Sequence, residues 1–229
     1  MRQTRLARPA SAINATNHAY AELKRRINCN ELPAGKLFKQ QSLAEMLDIS
    51  RTPAREALIR LEEEGLIEIR PRHGVRVKPV TLDELAGIYE VLMVLEAHAA
   101  RRLAEIGASA DGLQLLERAH QAMLGASGAH NIGGWIEADE AFHRIVVSEC
   151  GNTQMRAVVH ALWDRTRRIR LLTMTGRCIR PESNTEHAAL IEAVRDRQGT
   201  KAGDIMRQHR SCASAAMLCN LRGTGALEL

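Results

Sequence analysis

The feature that most limits the fold is a change of hydrophobic period between Gln41 and Val77. Within QSLAEMLDISRTPAREALIRLEEEGL, apolar residues recur at helical spacing in two short segments, Gln41 to Leu47 and residue 51 to about Glu64, broken at Asp48-Ile49-Ser50. Gly65 then closes the second helix, and alternation takes over: Ile67 and Ile69, the turn Pro71-Arg72-His73-Gly74, then Val75 and Val77. Period two on both sides of a Pro/Gly turn predicts a β-hairpin. A helix pair meeting at a tight turn, followed by a hairpin, is a compact unit with little freedom of arrangement.

In the second helix Ala54, Leu58 and Leu61 share one face and must pack on Leu43, Ala44 and Leu47 of the first. Arg51, Thr52, Arg55 and Glu56 are left outside at the helix start, with Ser50 or Thr52 able to cap it and Pro53 in the first turn, where a missing N–H costs nothing. Two arginines at i and i+4 on an exposed helix N-terminus have the geometry of a recognition helix in a DNA major groove, where a guanidinium can fork onto guanine. The hairpin tip adds Arg70, Arg72, His73 and Arg76 around the small Gly74, suited to backbone or minor-groove contacts. Any solvated helix carries arginines. The order helix, turn, capped helix, glycine, hairpin is what points to duplex DNA.

Charge agrees. Residues 1–80 carry 15 Lys/Arg against 9 Asp/Glu, whereas the rest carries 17 against 18, so the net +5 belongs to the N-terminal third. Residues 1–10 read as a loose basic arm, and a helix follows from Asn14 to about Cys29 before Leu32-Pro33-Ala34-Gly35 breaks it. Lys78-Pro79-Val80-Thr81 reads as a linker, with Thr81 or Asp83 capping what comes next. Aromatics at 3% are too scarce for a sandwich or barrel core. Beyond the linker six amphipathic stripes follow one another: Leu85 to Leu103, Leu113 to Met123, Trp135 to Cys150, Met155 to Ile169, His187 to Val194 and Ile205 to Ala213. They predict an antiparallel helical bundle. The expected organisation is a DNA-binding domain over 11–78, a linker over 79–82, a helical domain over 83–222 and a frayed tail over 223–229.

The bundle stripes contain polar residues that a core does not tolerate unpaired. Asp139 and His143 lie at i and i+4 on the face of Phe142, His187 heads the fifth stripe, and His209 sits on the apolar side of the sixth. Three imidazoles and one carboxylate turned inward would be costly without a partner. A divalent transition metal (Zn, Ni, Mn or Fe) would satisfy all four and leave positions for water or a ligand. Only the Asp139/His143 pair is fixed locally; His98, His120, His130 and His160 read as ordinary core histidines.

The segment Leu32-Pro33-Ala34-Gly35 with SLAEMLDISRTPAREALIRLEEEGLIEIRPRHGVRV resembles the winged helix-turn-helix of the GntR family of bacterial regulators. The resemblance implies DNA contacts from Arg51, Thr52, Arg55 and the wing glycine Gly74, and binding to inverted repeats as a dimer. Gln41 departs from it, since relatives often place Arg there. The C-terminal part resembles the FCD domain of one branch of that family: Tyr89-Glu90-Val91 with Leu95-Glu96 in its first helix, Asp139-Glu140-Ala141-Phe142-His143 in its D-x-x-F-H motif, then Glu186-His187 and His209. Leu92 departs, where Arg is common. The resemblance implies a metal held by Asp139, His143, His187 and His209.

The sequence therefore leads to a mostly α protein: an N-terminal winged helix-turn-helix with a small hairpin wing, and a C-terminal FCD-type antiparallel bundle. Its expected function is that of a ligand-responsive regulator, a repressor, binding an inverted-repeat operator as a homodimer through Arg51, Thr52, Arg55, Glu56, Arg72, His73 and Gly74. The effector expected at the metal is a small carboxylate with an arginine at its other end; Arg165, Arg167, Arg168 and Arg170 are candidates, but helical period turns most of them to solvent and none is singled out. Two alternatives stand beside it: a metal-dependent hydrolase with a DNA-binding appendage, for which no general base or nucleophile motif stands out, and a DNA-binding protein without effector. Five cysteines with no C-x-x-C pair read as reduced thiols, and no apolar stretch approaches a membrane span, so a soluble cytoplasmic protein is expected.

Overall fold

Ala19, Leu23 and Ile27 recur every fourth residue and are fully buried, which is why the first helix, α1 (Ala10–Asn28), lies flat on its neighbours. The structure is a computed structural model that describes residues 10–174 and 181–223, without the side chains of 10–13, 168, 170–174, 181 and 223. Of the expected basic arm only Ala10 falls among these residues, and of the tail only Gly223; the rest of both lies outside them. The chain divides at Pro79 into two compact units.

In the first unit, β1 (Leu37–Phe38) follows α1, and α2 (Gln40–Met46) and α3 (Arg51–Glu63) form the expected helix pair. Leu43, Ala57, Leu58 and Leu61 fill the space between α1, α2 and α3. Gly65 takes φ +75° just beyond α3, a conformation open to glycine without penalty, and turns the chain into β2 (Ile67–Arg70) and β3 (Gly74–Val77). The wing is a three-stranded antiparallel sheet in the order β1-β3-β2, one strand more than the hairpin the sequence predicts. The extra strand has two residues, too few for alternation to show, and pairs Leu37 with Arg76 and Phe38 with Val75. Its presence explains Gly74: a Cβ there would stand 2.3 Å from the Phe38 carbonyl oxygen.

The second unit contains α4 (Leu82–Ile106), α5 (Ala110–Gly128), α6 (Ile132–Glu149), α7 (Thr153–Met174), α8 (Pro181–Arg195) and α9 (Gly199–Gly223). Thr81 caps α4, its hydroxyl accepting from the Glu84 N–H at 3.1 Å. The first and last helices, α4 and α9, make the most extensive helix pairing, and α5 packs mainly on α6. Leu85, Leu92 and Leu103 of α4, Leu116 and Met123 of α5, Phe142 and Val146 of α6, Leu190 and Val194 of α8 and Met206 of α9 build one aliphatic core. Among the described residues no helix is long and apolar enough to cross a membrane. Cys29, Cys150, Cys212 and Cys219 are free thiols, and Cys178 lies outside the described residues.

Candidate nucleic-acid interface and metal centre

Arg51, Thr52 and Arg55 are exposed on the first two turns of α3, while Pro53, Ala54, Ala57 and Leu58 on the other side are buried. Ser50 occupies the N-cap in extended conformation but its hydroxyl makes no capping bond, so the α3 N-terminus keeps its N–H groups for an outside acceptor. Arg51 donates to the Gln41 side-chain oxygen at 2.7 Å, and Gln41 in turn donates to Glu45 at 2.9 Å. The position where this chain departs from its resemblance therefore orients the leading arginine. The α3 surface and the wing tip enclose a concave face of about 860 Å³ lined by Arg51, Thr52, Arg55, Arg70, Arg72, His73 and Gly74, with Lys39 at its edge. Glu56 also borders it, but its carboxylate accepts from the Thr16 hydroxyl at 3.0 Å and so ties α3 to α1.

At the wing tip Pro71 precedes Arg72, whose φ is +66°, and the His73 N–H donates to the Arg70 carbonyl at 3.0 Å. A proline followed by a left-handed residue is the signature of a type II turn, usually completed by glycine. Holding arginine there costs about 1–2 kcal/mol.

In the helical unit the four predicted ligands come together from three helices. Asp139 and His143 of α6, His187 of α8 and His209 of α9 are all buried, and each offers one ligand atom within 4.8 Å of the others. The Nε2 atoms of His143 and His187 are 3.4 Å apart, and Oδ1 of Asp139 lies 3.6 and 3.5 Å from them. A tetrahedral ion with bonds of about 2.1 Å spaces its ligand atoms by about 3.4 Å. Asp139, His143 and His187 thus have the spacing of ligands to a divalent transition ion, and His209, within 4.8 Å of them, completes a donor set whose chemistry suits one. Nδ1 of His187 is buried with no hydrogen-bond partner among the described residues, and burial holds the His187 imidazole well below its usual pKa. Burial lowers His209 too, against the Glu186 carboxylate, which contacts its Nδ1 at 2.7 Å and pulls the other way. Both rings are therefore poised as neutral, lone-pair-bearing ligands.

Behind His143 stands Glu96 of α4, fully buried. Its Oε2 accepts from Arg210 Nε at 2.8 Å and lies 2.9 Å from His143 Nδ1, oblique to that ring's N–H, while Oε1 accepts from Trp163 Nε1 at 3.0 Å. Burial alone would raise the Glu96 carboxyl, but the Arg210 guanidinium, with the His143 ring beside it, outweighs burial and holds it at about 2.

The model of the gntR family of bacterial regulatory proteins matches residues 15–77, and that of the FCD domain matches 87–211. The chain belongs to the GntR family, in its FCD branch. Two relatives of this GntR regulator illustrate the likeness. An HTH-type transcriptional regulator from the TAR-I ttuE-ttuC' intergenic region of Agrobacterium vitis is 36% identical over 60% of this chain and 82% of its own length. The HTH-type transcriptional repressor RspR of Escherichia coli K12 is 24% identical over 88% of this chain and 87% of its own. Among solved structures, Escherichia coli McbR/YncC superposes with a TM-score of 0.75 at 21% identity, covering 89% of this chain and 96% of that one. These matches make the chain a transcriptional regulator rather than an enzyme, with a DNA-binding N-terminal unit and an FCD C-terminal unit.

Several functional neighbours were not legible. Glu96 enters the sequence reading only through the family resemblance, and nothing in the spacing ties it to Arg210, 114 residues away. Of the arginines expected near the effector, Arg165 pairs with Glu84 and Arg167 lies 3.4 Å from Glu140; the side chains of Arg168 and Arg170 lie outside the described residues. Among the described residues, the arginine buried beside the cluster is Arg210. Of the histidines read as core residues, His98 and His130 are exposed, His120 bonds the Asn184 carbonyl at 3.0 Å, and His160 stacks on Trp163.

Proposed function

We propose that this GntR regulator is a cytoplasmic, ligand-responsive repressor that binds an inverted-repeat operator as a homodimer and senses a small organic acid at a divalent metal in its FCD domain. The observation that carries the metal part is the convergence of Asp139, His143, His187 and His209, with two of the three imidazoles backed by carboxylates. When bound, the ion would supply a Lewis-acidic centre whose remaining positions accept a carboxylate oxygen. The protein's own part is to exclude water, keep His187 and His209 neutral and hold four donors in register.

On the DNA side, Arg51, Thr52 and Arg55 supply donors to base edges, Arg72 and His73 meet the backbone or minor groove beside Gly74, and Glu56 fixes the angle of α3 through Thr16. Two copies related by a twofold axis would read two half-sites. Repression is supported by RspR and GlaR of Escherichia coli K12, both named as repressors. An acid that binds one conformer better shifts the population competent for DNA.

The test has two arms. Elemental analysis of purified protein should find about one transition ion per chain, lost in Asp139→Ala and His187→Ala, followed by a thermal screen of small carboxylates read by tryptophan fluorescence. Gel shifts on the protein's own promoter region, with and without the acid that raises the melting temperature, read the response. Metal-free protein from metal-supplemented medium would end the sensing reading; sequence-blind DNA binding would end the operator reading.

A further inference from the structure

Glu96 is a carboxylate with no exposed surface, and its three nearest polar partners come from three different helices: His143 of α6, Trp163 of α7 and Arg210 of α9. A hub of that kind could serve only to join helices. Two features of this one say more. Its Oε2 reaches the nitrogen of His143 that does not face Asp139 and His187, and the residue that balances its charge, Arg210, directly follows the candidate ligand His209.

We propose that Glu96 and Arg210 are positioning residues for the metal centre: Glu96 holds the His143 hydrogen on Nδ1 so that Nε2 presents its lone pair to the cluster, and Arg210 sets the charge of the site. The inference rests on the metal reading above. Which imidazole nitrogen carries the hydrogen is decided by the bond the other one makes. His209 has a comparable neighbour, its Nδ1 bonded at 2.7 Å to Glu186; the Nδ1 atoms of His143 and His187 both lack an aligned hydrogen bond among the described residues, but His143 has the Glu96 oxygen 2.9 Å away. Two of the three imidazoles thus have a carboxylate, from α4 or α8, beside Nδ1. Charge accounting follows. Asp139, Glu96 and the half-buried Glu186 against Arg210 leave a formal −2, which one divalent ion neutralises; without Arg210 the excess around the site would be −3.

The double variant Glu96→Gln/Arg210→Met removes both charges at similar volume, leaves an oxygen for Trp163 and turns an amide donor toward His143 Nδ1. The wild-type chain, metal-stripped and labelled with nitrogen-15 histidine, is read by long-range proton–nitrogen spectra at a pH where imidazoles are neutral, with His143→Gln assigning the signal. His143 should carry its hydrogen on Nδ1 in the wild type and on Nε2 in the double variant. Zinc affinity, measured by competition with a chromophoric chelator, should fall about 10- to 100-fold. A folded double variant with wild-type zinc affinity and an unchanged His143 tautomer overturns the proposal, as does an Nε2–H His143 in the wild type. If the tautomer switches but neither protein binds zinc, positioning by Glu96 stands and the metal reading fails. Glu96→Asp, which withdraws the carboxylate by one methylene while keeping its charge, should also lose zinc affinity, and replaces the double variant should that one not fold.

Discussion

Acid should loosen the helical unit well before it protonates ordinary carboxylates. His187 and His209 are buried and their pKa values are lowered, chiefly by burial, so the folded unit declines protons that the unfolded chain accepts below about 6.5. A lowered histidine contributes full stability above the unfolded pKa and loses it as pH falls. Each such group costs up to about 1.4 kcal/mol per pH unit in that window. Between about pH 7.5 and 5.5 the two together should remove at most about 3 kcal/mol from metal-stripped protein, the limit in which both rings stay neutral when folded. For a unit of this size that limit corresponds to a melting temperature lower by up to about 12 °C. The chain's two tryptophans, Trp135 and Trp163, both lie in the helical unit, so their fluorescence follows its unfolding without interference from the DNA-binding unit. Glu96, held at about 2, acts in a lower window, from the usual carboxylate range down to about pH 2, and does not confuse the reading. His187→Gln should remove a clear part of the pH dependence. A melting temperature that stays flat from pH 7.5 to 5.5, or a slope unchanged in His187→Gln, would refute the picture of neutral buried imidazoles.

Other outcomes follow from the same geometry. Arg51→Ala and Arg55→Ala should each cost about 1–3 kcal/mol of operator binding in gel shifts while leaving weak sequence-independent binding in place. Gly74→Ala places a methyl against the Phe38 carbonyl at a φ of +114°, so wing pairing should be lost and operator affinity should fall, with the tryptophan-detected transition unmoved. Phe142→Ala removes a fully buried ring that lies 4.5 Å from the His187 ring, centre to centre, and should destabilise the helical unit by about 3–5 kcal/mol in urea titrations.

Periodicity made most of the fold legible. Ala54, Leu58 and Leu61 declared the buried face of α3, and the alternation from Ile67 to Val77 declared the wing, because one-sided burial imposes those spacings. Strand β1 escaped because two residues carry no period. The glycines between the second and third stripes do not all lie in a connection: α5 runs on through Gly128 and α6 starts at Ile132. In the metal cluster the i, i+4 pair Asp139/His143 was visible locally, whereas His187 and His209 join it only through helix packing. Glu96 and Arg210 illustrate the limit: a charged pair on two stripes, with no exposed partner to betray it, looks like surface until α4 and α9 are laid together.

That pairing of α4 with α9 has a consequence for biogenesis. The helix that begins the FCD unit has as its chief neighbour the helix that ends it, so during synthesis the apolar side of α4 must wait for some hundred residues before its mate leaves the ribosome. A premature stop ahead of Arg210 would strand Glu96 as an uncompensated anion inside whatever collapses around it. A half-length unit would therefore lack both the chief neighbour of α4 and the cation that balances Glu96.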